Sequence, residues 1–144
     1  MADMEHNRDE SGPRVLDDVR VLDFTAVIAG SFCTRMLADL GADVLKIEGL
    51  EGEVLRHAGP RRGTASALFS TLNSGKRCLS MDLKAPQAIE ICKRLVATHD
   101  VVVENYSPGV MRRLGLDYET LKAVNPKIIM CSVSGYGQTG PGAE

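Results

Sequence analysis

Short apolar runs alternate along this chain with longer stretches whose apolar residues recur at helical spacing, and that alternation restricts it to an α/β fold built on a mostly parallel sheet. Residues 19–24 (VRVLDF) predict a strand, and Phe32, Met36, Leu37 and Leu40 mark a helix over residues 30–40 that Gly41 stops. Residues 44–47 (VLKI) predict the next strand, so the first unit is strand, helix, strand with a right-handed parallel crossover. Residues 78–83 read as a strand, followed by a helix with Pro86 in its first turn, Ile89, Cys92, Leu95 and Val96 inward, and a Glu90–Arg94 pair outward. The β-branched run Val101, Val102, Val103 is the pattern of a strand buried on both faces. Short helices are predicted over 110–114 and 118–124, the second capped by Asp117 and ended by Asn125-Pro126, before a last strand over 127–133. The whole is an open, Rossmann-like parallel sheet with flanking helices.

Length and charge narrow what such a sheet can serve. At 144 residues, 44% hydrophobic and 25% charged, the chain has material for one domain, assigned to residues 14–144 behind a polar, disordered tail over 1–13. A net charge of -2 argues against a nucleic-acid binder, which holds phosphate backbones with clustered Lys and Arg. Cys33, Cys78, Cys92 and Cys131 have no metal-ligand spacing and read as buried free thiols. No stretch has the apolar length of a membrane span or the core of a secretory signal, so a cytoplasmic protein, with no membrane partner, is expected.

Three segments have the composition of binding loops. Residues 135–140 (GYGQTG) match the dinucleotide pattern G-x-G-x-x-G after a predicted strand, but Pro141 stands where a helix must begin. A glycine-rich turn is the alternative, and an NAD-linked oxidoreductase is the reading the pattern alone suggests. Residues 25–31 (TAVIAGS) join the first strand to its helix, where α/β sheets place ligands against helix N-termini. Residues 49–75, rich in glycine and carrying Arg61-Arg62, form a long irregular connection with a helical stretch inside 65–72. His57 reads as a solvated loop residue and His99 as a helix-end residue; no catalytic histidine constellation or metal site is assigned.

Taken in order, the strings VLDFT (21–25), LADLGADVLKIE (37–48), NSGKR (73–77), MDLK (81–84), DVVVENYSPG (100–109) and SGYGQTGP (134–141) resemble the class III coenzyme A transferases, a family that includes formyl-CoA transferase, carnitine CoA-transferase and α-methylacyl-CoA racemase. The resemblance implies an acyl-CoA:carboxylate CoA-transferase whose substrates are acyl-CoA and a small carboxylic acid, with no prosthetic group. It implies contacts to coenzyme A from Val27, Ala29, Met81, Lys84, Asn105, Arg113, Leu114 and Tyr136, where Lys84 and Arg113 neutralise phosphate and Met81 and Leu114 flank the apolar parts. It also implies that an aspartate beyond Glu144 attacks the thioester through an aspartyl anhydride, that residues 1–144 hold no catalytic residue and are inactive alone, and that the longer protein is an interlocked homodimer. Ala26 and Ile28 replace polar residues of the formyl- and oxalyl-transferring members, which points to a larger or less polar acyl group. The alternatives are a racemase of the same family, needing an acid/base pair at the α-carbon, and a non-catalytic CoA or nucleotide-binding module.

Overall fold

The computed structural model describes Gly12 and residues 14–143; the tail expected over 1–13 lies, apart from Gly12, outside the described residues. Strand β1 (Arg20–Phe24), helix α1 (Ala29–Asp39) and strand β2 (Asp43–Glu48) form the first unit. The long connection holds a 3₁₀ turn (Val54–Arg56), a small hairpin of β3 (Arg61–Arg62) and β4 (Ala65–Ser66), and helix α2 (Ala67–Asn73). Then come β5 (Arg77–Ser80), α3 (Pro86–Val96), β6 (Val101–Glu104), α4 (Val110–Arg113), α5 (Tyr118–Val124) and β7 (Ile129–Ser132).

The five long-range strands pair in the order β5-β2-β1-β6-β7, every ladder parallel. The chain steps outward from β1 to β2 and β5, then returns through α3 to β6 on the other side of β1. The direction of winding therefore reverses between β1 and β6, and α/β sheets open a ligand crevice at that point. β5 and β7 are shorter than the apolar runs that announce them. Each is an edge strand, and its ladder ends where its single neighbour ends: Met81 N–H closes on Glu48 O and Val133 N–H on Glu104 O, both at 2.9 Å.

Alternation along the strands sends successive side chains to opposite faces. Leu22, Phe24, Leu45, Ile47 and Val102 pack with Ala88, Cys92 and Val96 of α3, Met111 of α4 and Leu121 of α5. Val21, Val44 and Val103 pack with Ala38 of α1 on the other face. Each large side chain so buried contributes about 1.5–3 kcal/mol.

Two expectations need correction, the Glu90–Arg94 pair and the burial of all four thiols. The buried face of α1 is Gly30, Ser31, Thr34 and Ala38, while Phe32, Met36 and Leu40 are about half exposed. Small and hydroxyl-bearing residues sit inward because α1 lies close over a polar strand residue, Asp23, that needs donors. Glu90 pairs with Lys93 at 3.1 Å rather than with Arg94. All four cysteines are free, but only Cys92 is buried; Cys78 and Cys131 are exposed because they sit on the two edge strands. Residues 135–140 turn without starting a helix, so the dinucleotide pattern lacks the helix N-terminus that gives it its chemistry.

Candidate functional site at the strand ends

The turn from β1 into α1 is held by an unusual density of buried charge. Asp23, wholly buried at the end of β1, accepts from Thr25 N–H at 2.8 Å and Thr25 Oγ1 at 2.6 Å through one oxygen. Its other oxygen accepts from Thr34 Oγ1 at 2.7 Å and Lys76 Nζ at 3.0 Å. The Lys76 ammonium also donates to Ser31 O at 2.9 Å and Asn73 Oδ1 at 2.8 Å, so all three of its protons are placed. Burial lowers the Lys76 pKa, and the Asp23 carboxylate opposes that shift.

The next three residues are pinned one by one. Thr25 O accepts from Lys46 Nζ at 2.6 Å. Ala26 is clamped at both backbone groups by the Asn105 amide, its N–H on Oδ1 and its carbonyl on Nδ2, each at 2.8 Å. Val27 N–H donates to Glu53 Oε1 at 2.8 Å. Val27 is also the one non-glycine among the described residues with a positive φ, 63°, a conformation that costs a β-branched residue about 1–3 kcal/mol. Gly30 completes the turn: a Cβ there would lie 2.6 Å from Thr25 Cβ, so only glycine lets the helix begin against the strand end.

The connection after β2 supplies a second set of anchors. Glu48 takes Arg56 on both oxygens, at 2.7 and 2.5 Å, and accepts from Glu53 N–H at 2.9 Å. Burial alone would raise the Glu48 pKa, but the hydrogen bonds from Arg56, Cys78 and Glu53, with the charge of Arg56, bring it down to about 2. Lys46 Nζ stands 3.0 Å from Glu53 Oε2, close enough for an ion pair but without hydrogen-bond geometry, so that oxygen has no donor among the described residues.

The residues expected to touch coenzyme A lie along the C-terminal side of this sheet or just behind it. Val27 and Ala29 are exposed on the turn that leaves β1, and Asn105 is half-buried just after β6. Arg113 is exposed at the end of α4, with Leu114 half-buried behind it against the core. Lys84 is exposed after β5, its N–H on Asp82 Oδ1 at 2.9 Å. Met81 is 8% exposed and packs in the core, its sulfur 3.7 Å from Cys92 Sγ. Tyr136, 82% exposed, stands on the glycine-rich segment beyond β7. From β5 to β7 the row is about 19 Å wide at the usual strand spacing, which suits an elongated ligand.

Helix α1 opens with Ile28 at its N-cap and, among the described residues, no side-chain cap, which leaves first-turn N–H groups for an acceptor from outside. On the far side of β6 a cavity of about 370 Å³ is lined by residues that include Glu104, Met111, Ser132 and Gln138. Glu104 Oε2 there accepts from Tyr106 N–H at 2.8 Å, and burial, then the charges of Glu104, Asp23 and Cys92, raise the Tyr106 pKa.

Sequence reasoning placed Asp23, Lys46, Glu48 and Lys76 inside motifs without giving them work, and it passed over Glu53 altogether. The available signal was a charged residue within a strand otherwise fit for burial, as in VLDF and VLKIE. Such a residue must find partners inside the fold.

The sequence model of CoA-transferase family III matches residues 16–144. The chain is similar to succinate–glutarate CoA-transferase of Agrobacterium fabrum, 42% identical over 137 residues that cover 90% of this chain and 34% of the relative. It is similar at the same 42% identity to human succinyl-CoA:glutarate CoA-transferase, covering 92% and 31%. Among solved structures, a CAIB/BAIF family protein from Brucella suis matches with a TM-score of 0.86 and 42% identity, covering 91% of this chain and 36% of the other. A hypothetical protein of Mycobacterium tuberculosis matches with a TM-score of 0.85 and 39% identity, covering 91% and 36%. The chain spans about a third of the length of the curated relatives it matches.

Proposed function

We propose, because this chain belongs to CoA-transferase family III, that residues 14–144 bind the CoA thioester for transfer of CoA between an acyl-CoA and a small carboxylic acid. The observation that carries the reading is the reversal of winding between β1 and β6, where the turn leaving β1 has its backbone pinned at Thr25, Ala26 and Val27. A turn fixed before the ligand arrives loses little entropy on binding. In this reading the uncapped start of α1 faces an electron-rich part of the ligand, and Lys84 and Arg113 take its phosphates. Several relatives are named for succinyl-CoA, and a succinyl-sized acyl group, larger than formyl, is the donor we propose for this chain. The acceptor acid, the carboxylate nucleophile and an interlocked homodimer belong to the same proposal for a protein of the relatives' length.

Isothermal titration of the chain with CoA, succinyl-CoA and NADH tests this. CoA and succinyl-CoA are expected to bind and NADH not to. Lys84→Ala and Arg113→Ala should each weaken CoA about tenfold, the loss of one charge-assisted contact. Absence of CoA binding, or affinities in both variants equal to the parent, would sink the assignment.

A further inference from the structure

Val27 keeps a backbone conformation that valine avoids, at the turn that the proposed function sets against the ligand. Something must hold it there, and the one side chain bonded to its N–H is Glu53, contributed by a connection 26 residues further along. The Glu53 side chain is 3% exposed and Lys46, beside it, is fully buried. A carboxylate taken that far from water is costly unless its partners are fixed. They are fixed on each side: Arg56 and Glu48 lock the 3₁₀ turn that follows Glu53, Glu48 takes the Glu53 N–H, and Lys46 bridges the carboxylate to Thr25 O.

We propose that Glu53 is a positioning residue for CoA binding, its carboxylate holding Val27 in the left-handed region and so tying the shape of the ligand-facing turn to the connection after β2. The inference rests on the CoA reading above. It gives that connection a task in the site without a contact to the ligand. A glycine at position 27 would adopt the same φ unaided, so it removes the need for Glu53.

The test separates the acceptor from the charge. Removing Glu53 alone leaves Lys46 buried and unpaired, so the comparison is made in a Lys46→Met background, with Glu53→Gln keeping the acceptor and Glu53→Leu removing it. Thermal melts establish that both double variants are folded. Two quantities are then read on the 144-residue chain: CoA affinity by titration, and the intraresidue HN–Hα cross-peak of Val27, which is strong only at positive φ. The Gln variant is expected to retain the cross-peak and to bind CoA at least tenfold more tightly than the Leu variant. Adding Val27→Gly to the Leu variant should recover threefold or more of that loss. Equal affinities in the two double variants, a Val27 cross-peak that survives in the Leu variant, or no recovery with glycine each overturn the proposal while the CoA reading stands. If the parent chain binds no CoA, the family-based reading of the ligand fails, and the cross-peak alone decides whether Glu53 sets the turn.

Discussion

Asp23 and Lys76 form a pair with both side chains wholly buried, and such pairs are worth less than their geometry suggests because each ion has given up its hydration. Breaking the pair from one side is another matter. Lys76→Met leaves the Asp23 carboxylate without its cation and is expected to destabilise the chain by about 3–5 kcal/mol, whereas the apolar double variant Asp23→Leu/Lys76→Met should cost less. Urea denaturation of both, compared with the parent, decides it; a double variant less stable than the single one would contradict the account. Glu48 carries the pH dependence. Its folded pKa of about 2 lies below the ordinary 4.5, so its contribution is complete above pH 4.5 and is lost as the pH falls from there through 2. With Arg56 37% exposed, that contribution is about 1–3 kcal/mol after allowance for solvent screening. Stability measured at pH 5 and pH 3 should fall less in Glu48→Gln than in the parent.

At the scale of elements, α1 has the least usual amphipathicity. Its inward face is small and polar, serving Asp23 and the β1 turn, and its outward face carries Phe32, Met36 and Leu40 one turn apart, with Ile28 at the N-cap in line with them. Ile28 and Phe32 are 57% and 53% exposed, and a continuous apolar stripe of this kind drives association in water. The chain is therefore expected to self-associate, and Phe32→Lys/Met36→Lys to shift sedimentation velocity toward the monomer with the melting temperature little changed. An unaltered sedimentation profile would place the sticky surface elsewhere, with β7 and its 62% exposed Ile129 next in line.

For the molecule as a whole, the fold was legible because burial in a parallel sheet leaves a direct mark on sequence. Val101 to Val103 and the alternation of strands with helices announced the sheet, and Pro86 and Asp117 marked helix starts that the structure keeps. The site was legible only in part. The turn 25–31 was picked out by its place after a strand, yet neither the strained Val27 nor the carboxylate that holds it is visible in composition or spacing. The Phe32, Met36 and Leu40 pattern announced the helix but not that Gly30, Ser31, Thr34 and Ala38 form its buried face, because periodicity reports which residues share a face but not what lies opposite. Local order and hydrophobic pattern, which depend on neighbours in the chain, were thus determined by the sequence itself: the parallel α/β architecture, the helix boundaries, the family likeness. The meeting of Asp23 with Lys76, of Lys46 with Glu53 and of Glu53 with Val27 was decided only in the folded state. Those contacts join residues 7 to 53 positions apart, and a charge becomes an anchor only where folding removes the water that would otherwise satisfy it.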